Sequence, residues 1–431
     1  MNNPQKPSAA ENIVIIGNGT AGVQLLDSLR SEGFEGTISI VGDEPTIPYQ
    51  RPPLSKDYLL PGKEAAPLPL RPPHFFSQKG TVSIQGVQAT AIDPAAHTVT
   101  LSDGNTLTYD RLVLATGAAN RELRVPGRDL NRIFGLRNLN DAKALNAVLS
   151  TARRAVVIGA GFIGLEFAAA ARKHGIAVTV LEYANLPMAR ALTTVTGSWF
   201  TKAHQDMGTE LRFGEGIAAF ESDCKGNVAA AVSTTGAVHP ADLVVTGIGV
   251  IPRTELAEAA GLAVDNGITV NSALRTSDPD IFALGDCANY PNAHTGARTR
   301  LESVQNATDQ ARYLATALLN SHAAGMPEYA ELPWFWSQQG PHKLQIAGLA
   351  PAGSETVLRG NPAAGSFSVF CYSDGVLAAV ESINRPADHM AARRLLAAGR
   401  DLAPVQAADE DFDLKTYSKD SRRPALHQSS S

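Results

Sequence analysis

The chain has 431 residues, 44% of them hydrophobic and 18% charged, and at about 150 residues per domain that points to two or three globular domains. Its 37 Gly and 26 Pro stay well short of the roughly 25–30% share that marks low-complexity chains. A net charge of −5 gives no general attraction to nucleic acid or to an anionic membrane surface.

The first expected element is the β-branched run Ile13-Val-Ile-Ile, followed by Gly17-Asn-Gly19-Thr-Ala21-Gly22. A helical stretch over 22–31 and an apolar strand over 37–41 come next. This is a βαβ unit in which the GxGxxG turn brings a helix N-terminus up to a pyrophosphate. The acid closing its second strand is Asp43 or Glu44. A proline-rich stretch, 45–73, cannot be regular sheet, because proline lacks the donor hydrogen. It reads either as a surface loop or as a rigid lid holding a basic residue over a ligand. Strands over 98–101, 107–109 and 112–115 follow, the first two joined by an Asp103-Gly104 hairpin turn.

The opening pattern then returns as Ala155-Val-Val-Ile followed by Gly159-Ala-Gly161-Phe162-Ile163-Gly164, a helix over 164–174 and a strand over 177–181. Glu182 closes that strand. A carboxylate there accepts from both ribose hydroxyls and repels a 2′-phosphate, and no arginine follows it, so this unit is expected to take NAD over NADP. One glycine motif alone is weak. Two copies, each between strand and helix and each with an acid about twenty residues on, imply two dinucleotides that exchange electrons. A β-rich block over 211–251 and a helix over 304–319 come next. The remainder opens with Pro333-Trp-Phe-Trp336 and continues as strands over 367–372 and 376–380 about an Asp374-Gly375 turn. A helix over 386–398 follows, and the polar end from 407 is expected to be mobile.

Several classes are excluded. No run approaches the roughly 20 apolar residues of a membrane span, and residues 1–11 show no basic-then-apolar signal, so the cytoplasm is the expected location. Cys224, Cys287 and Cys371 offer neither a disulfide framework nor a CxxC metal knuckle. The histidines show no HxxxH or HExxH spacing, and no metal site is expected. Residues 44–60 contain no cysteine, so a thiol relay beside the first dinucleotide is not expected. Trp334 and Trp336 read as core, or as aromatic groups at a cofactor edge or a docking face.

Pro48-Tyr-Gln-Arg51-Pro-Pro-Leu-Ser-Lys56, Gly159-Ala-Gly-Phe-Ile-Gly-Leu-Glu166, Gly285-Asp286-Cys-Ala, Glu302-Ser-Val304-Gln-Asn-Ala and Pro333-Trp-Phe-Trp-Ser337 occur in that order. They resemble the NADH-dependent, FAD-containing ferredoxin reductases of bacterial oxygenase systems, from about residue 11 to 386, while the segments ending Ala115-Thr116-Gly117 and Gly247-Ile-Gly249-Val-Ile-Pro resemble the wider class of two-dinucleotide-domain flavoproteins. The resemblance implies an α/β fold of two nested doubly wound dinucleotide-binding domains, glutathione-reductase-like, plus a small C-terminal α+β domain. The expected boundaries are 11–120 and 250–325 for a discontinuous FAD domain, 121–249 for the NAD domain, 326–407 for the C-terminal domain and 408–431 for a flexible tail.

Carried over residue by residue, the resemblance puts Gly17, Gly19, Ala21, Gly22, Asp43, Arg51, Lys56, Ala89, Thr116, Gly117, Arg137, Gly285, Asp286, Val304 and Trp336 at the flavin. Gly159, Gly161, Phe162, Ile163, Gly164, Glu166, Glu182, Arg190 and Gly249 would contact NAD. Lys56 and Glu166 are the candidate catalytic pair. A lysine near the ring stabilises negative charge on the reduced flavin, and a carboxylate positions that lysine. Two departures from the family pattern, Arg253 after the proline and Tyr-Gln before Arg51, are expected to touch no group with assigned chemistry. The implied activity is electron transfer from NADH through FAD to a 2Fe–2S ferredoxin that feeds an oxygenase, with no nucleic acid or membrane partner and a homodimer left open. A rubredoxin or monodehydroascorbate-type reductase, an NADH oxidase without a protein acceptor, and a flavin-binding signalling protein fit the same architecture.

Overall fold

A computed structural model describes residues 11–62, 66–320 and 327–419. The chain divides into two compact units, the first made of Met1–Gln50, Leu68–Ala119 and Ile251–Glu331, the second of Arg51–Pro67, Asn120–Val250 and Leu332–Ser431.

The first unit is built on a five-stranded parallel sheet in the order Ile281–Ala283, Arg111–Leu114, Asn12–Ile16, Thr37–Gly42, Thr81–Gln85. Its central strand is flanked on both sides, which is why its residues form an unbroken apolar run where an alternating pattern would leave one face wet. Ile13, Val14 and Ile15 are all buried, as are Leu25, Leu26 and Leu29 on the helix Thr20–Ser31 that packs over them. That helix lies against Val304–Leu319. The unit also holds a three-stranded antiparallel ribbon, Ala89–Asp93, Thr98–Leu101 and Thr106–Thr108.

The second unit repeats the plan. Its parallel sheet runs Thr209–Phe213, Ala177–Glu182, Arg154–Ile158, Leu243–Thr246, Ile133–Phe134. The same unit contains a five-stranded antiparallel sheet in the order Trp334–Gln339, His342–Gly348, Val376–Ile383, Ser366–Ser373, Glu355–Asn361, covered by the helix Pro386–Ala397. At the Asp374-Gly375 turn both residues have positive φ, 50° and 77°, the geometry that makes Asp-Gly a tight hairpin.

Two expectations change. The proline-rich stretch does not stay with the first domain: Arg51–Pro67 belongs to the second unit. There it forms the short 3-10 turns Pro52–Ser55 and Asp57–Leu59, with Leu54 and Leu59 buried. It is tied down by Arg51 Nη1 donating to the Arg137 carbonyl at 2.8 Å, and by the His174 ring 2.6 Å from the Leu59 carbonyl. The expected flexible tail is also corrected over 408–419. The helices Pro404–Ala408 and Leu414–Lys419 are present, and the buried Arg359 guanidinium donates to the carbonyls of Ala407, Asp409, Glu410 and Phe412. A short polar segment carries no periodicity of its own; here its order comes from an arginine some fifty residues earlier. Residues 420–431 of that expected tail lie outside the described residues.

Candidate active site

Each glycine motif makes the same turn. Gly17 and Gly159 have φ of +112° and +99°, and a Cβ there would lie 2.1 Å from the Ala115 carbonyl oxygen and 2.6 Å from that of Gly247. Only glycine lets strand, turn and neighbouring strand approach so closely. The helices that follow, Thr20–Ser31 and Phe162–Lys173, begin at Gly19 and Gly161 with no side-chain cap. By contrast, Leu139–Leu149 carries a full Asn138/Asp141 capping box, and Val304–Leu319 is capped by Ser303. Two helix N-termini thus leave their first amides for an external anion, the arrangement that binds pyrophosphate.

In the first unit, Ala21, Gly285 and Ala307 meet: a Cβ at Gly285 would lie 3.1 Å from that of Ala21. The Gly285 amide donates to Gln310 Oε1 at 2.7 Å, and the Asp286 carbonyl accepts from Arg300 at 3.1 Å. Val304 opens its helix and Ala89 is buried at the start of the ribbon. Of the two acids after the second strand, Glu44 accepts from Tyr49 Oη at 2.5 Å, whereas Asp43 pairs with Arg253 at 2.9 Å. This overturns the expectation that Arg253 touches no group with assigned chemistry. Its amide also donates to the Gly117 carbonyl, and its own carbonyl accepts from Thr116 Oγ1 at 2.7 Å. Sequence spacing could not reveal this, because the contact joins residues 210 positions apart.

In the second unit, Glu182 reaches back to its own glycine turn, with Oε2 accepting from the Ala160 amide at 2.7 Å and Oε1 from the Ala184 amide at 2.8 Å. The loop bearing the exposed Arg190 is tied to the same turn by the Met188 amide, 2.9 Å from the Ala160 carbonyl. The Gly249 carbonyl accepts from the Arg121 amide. Gly164 packs against that turn: a Cβ there would lie 2.3 Å from the Gly159 carbonyl oxygen. Phe162 and Ile163 open the helix, with the Phe162 ring 4.5 Å from that of Phe335. Trp336 is half-buried beside Trp334, ring centres 5.8 Å apart.

Lys56 and Glu166 come together. Lys56 Nζ lies 2.7 Å from Glu166 Oε2, with side-chain exposures of 20% and 4%, and Nζ also donates to the Pro52 carbonyl. Two further donors, which sequence reading missed, complete the carboxylate: Ser55 Oγ at 2.5 Å from Oε2 and Ser337 Oγ at 2.6 Å from Oε1. Both sit inside motifs already quoted, Ser55 directly before Lys56 and Ser337 directly after Trp336. Burial pushes the Cys287 and Cys371 thiols up, so both stay protonated and unreactive at neutral pH. Among the described residues no cluster of three or more His, Cys, Asp or Glu is placed to hold a metal, and no helix is long and apolar enough to cross a membrane.

Residues 11–311 match the pyridine nucleotide-disulphide oxidoreductase family, and residues 334–418 match the reductase C-terminal family. The chain belongs to the first family and carries the second as its C-terminal part. It is 48% identical to rhodocoxin reductase of Rhodococcus erythropolis, over 94% of this chain and 93% of that one. The crystal structure of a ferredoxin reductase from Rhodopseudomonas palustris superposes with a TM-score of 0.91 at 44% identity, covering 95% of this chain and 100% of that one. That of the covalent putidaredoxin reductase–putidaredoxin complex gives 0.91 at 39% identity, covering 95% and 98%. The reductase uses FAD and NAD(H). Its residues fit them: both glycine-led helices present uncapped N-termini, each unit has an acid at the end of its second strand, and the Lys56–Glu166 pair offers one buried anion and one cation.

Proposed function

We propose that this reductase takes electrons from NADH through FAD and delivers them to a 2Fe–2S ferredoxin serving an oxygenase, in the cytoplasm. The observation that carries the reading is the 2.7 Å contact between Lys56 and Glu166, 110 positions apart. FAD, when bound, supplies the two-electron to one-electron conversion. The chain's part is placement and electrostatics. Glu166 holds the Lys56 ammonium in one position, where it stabilises negative charge as it develops on the reduced ring. The uncapped turns at Gly17 and Gly159 seat the two pyrophosphates. Asp43 and Glu182 take the ribose hydroxyls, and Glu182 rejects a 2′-phosphate. Arg51, Arg137, Trp336 and Phe162 are assigned to the flavin and nicotinamide surroundings, and Arg190 to the NAD phosphates.

Residues 44–60 carry no cysteine, and Cys287 and Cys371 are buried, so transfer from the flavin is read as needing no cysteine relay. The test is anaerobic stopped-flow reduction by NADH and by NADPH, followed by mixing with a 2Fe–2S ferredoxin, with rubredoxin and with monodehydroascorbate in parallel. Fast reduction by NADH and preferential transfer to the 2Fe–2S protein is the expected result. Preference for either other acceptor, or oxygen uptake at the full NADH rate without a carrier, would overturn the assignment. Sedimentation of the holoenzyme decides between monomer and homodimer.

A further inference from the structure

The Glu166 carboxylate is the end point of a hydrogen-bonded chain that runs into the C-terminal sheet. Ser337 lies in the strand Trp334–Gln339 and is fully buried, paired across the sheet with Leu344. Its hydroxyl stands 2.6 Å from Glu166 Oε1. Behind it, Gln339 Nε2 donates to Ser337 Oγ at 3.3 Å, and the side-chain oxygen Gln339 Oε1 lies 2.9 Å from His204 Nε2. Burial holds the His204 imidazole neutral, its pKa pushed down to about 4, and an amide oxygen can only accept, so Nε2 carries the proton.

Every link therefore points the same way: His204 donates to Gln339, Gln339 to Ser337, and Ser337 has one hydrogen left for the carboxylate. On the other oxygen, Ser55 and Lys56 both donate to Oε2. With the Glu166 side chain only 4% exposed, water is poorly placed to replace a missing donor, and a buried carboxylate oxygen without one is costly.

We propose that Ser337, oriented by Gln339 and His204, is a positioning residue for the Lys56–Glu166 pair, so that a strand of the C-terminal sheet completes the reductive site. This rests on the reading of that pair as the group that stabilises the reduced flavin. Ser337 is fully buried and bonds the carboxylate that in turn holds the lysine. The effect of losing it must therefore pass through Lys56, and the two substitutions must not be additive.

The experiment is a double-mutant cycle on the holoenzyme: Ser337→Ala, Lys56→Met and both together, read by the limiting rate of anaerobic flavin reduction by NADH, the NADH dissociation constant and the flavin potential. Ser337→Ala is expected to lower the limiting rate about 5- to 20-fold, leave NADH affinity within twofold, and cost nothing further in the Lys56→Met background. Ser337→Thr, which keeps the hydroxyl on a residue suited to a strand, should restore most of the rate. If Ser337→Ala does not fold with full FAD content, Ser337→Cys, near in volume with a weak donor, takes its place in the cycle. A full effect of Ser337→Ala on top of Lys56→Met, or a wild-type rate in Ser337→Ala while Lys56→Met is slow, overturns the proposal alone. Wild-type rates and potentials in both single variants overturn the reading of the pair itself.

Discussion

Glu182 Oε2 sits 2.7 Å from the amide of Ala160, the middle residue of the Gly159-Ala-Gly161 turn. The carboxylate that closes the second strand is thus held on the second glycine turn, with its other oxygen on the Ala184 amide. Two amide donors fix its rotamer before any ligand arrives. Replacing Glu182 by Ala or Arg should raise the NADH KM and narrow the preference over NADPH by about 1–3 kcal/mol of lost or redirected recognition. Steady-state kinetics with both nucleotides measure it; unchanged discrimination would remove Glu182 from ribose recognition.

Lys56→Met should make the flavin harder to reduce. A charge–charge interaction at about 4 Å is worth roughly 4 kcal/mol at an effective dielectric near 20, before screening, and for a two-electron couple about 30 mV corresponds to ~1.4 kcal/mol. A drop of tens of millivolts is the expectation. The fold should survive, since Ser55 and Ser337 still donate to Glu166. Glu166→Gln keeps the lysine but loosens its placement, so hydride transfer should slow more than the potential moves. Anaerobic redox titration together with single-turnover reduction separates the two effects.

Arg253 and Asp43 are each 45% exposed at the side chain, and an exposed ion pair contributes only about 0.2–1 kcal/mol to stability. Arg253→Asn should therefore leave the melting temperature nearly unchanged. A carboxylate accepts about four hydrogen bonds, so Asp43 can hold the guanidinium and a ribose hydroxyl together. Without the arginine its rotamer is free, and FAD should bind about 2- to 5-fold more weakly. Titration of apoprotein with FAD, followed by flavin fluorescence, checks this. Equal affinity would limit Arg253 to a surface contact.

Two buried histidines set an acid limit. His204 and His389 are both held neutral by burial, their pKa values pushed from 6.5 down to about 4. Between these values the unfolded chain binds the protons that the folded one refuses, so the full stability is present above pH 6.5 and is lost as pH falls toward 4. Each group contributes at most about 3 kcal/mol to that loss. His389→Phe, which cannot titrate, should flatten the fall in the urea midpoint between pH 7 and 5. An unchanged slope would show that this imidazole protonates in the native state.

The two βαβ units, their glycine turns, the acid after each second strand and the helix at Val304–Leu319 were legible in the sequence. The reason is that each is local: a buried parallel strand must be apolar along its length, a tight turn must be glycine, and both fall within about thirty residues. The Lys56–Glu166 pair was reached through family motifs, since nothing in spacing alone joins residues 110 apart. Only the tertiary structure decided the rest. Ser55 and Ser337 are ordinary serines until a buried carboxylate needs donors on both oxygens. Arg253 looks like a neutral departure until the turn at Thr116 and Gly117 carries it to Asp43. Residues 408–419 read as a tail until Arg359 supplies its guanidinium to their carbonyls. In each case the partner is distant in sequence, and a polar side chain declares its role only where burial removes the water that would otherwise satisfy it.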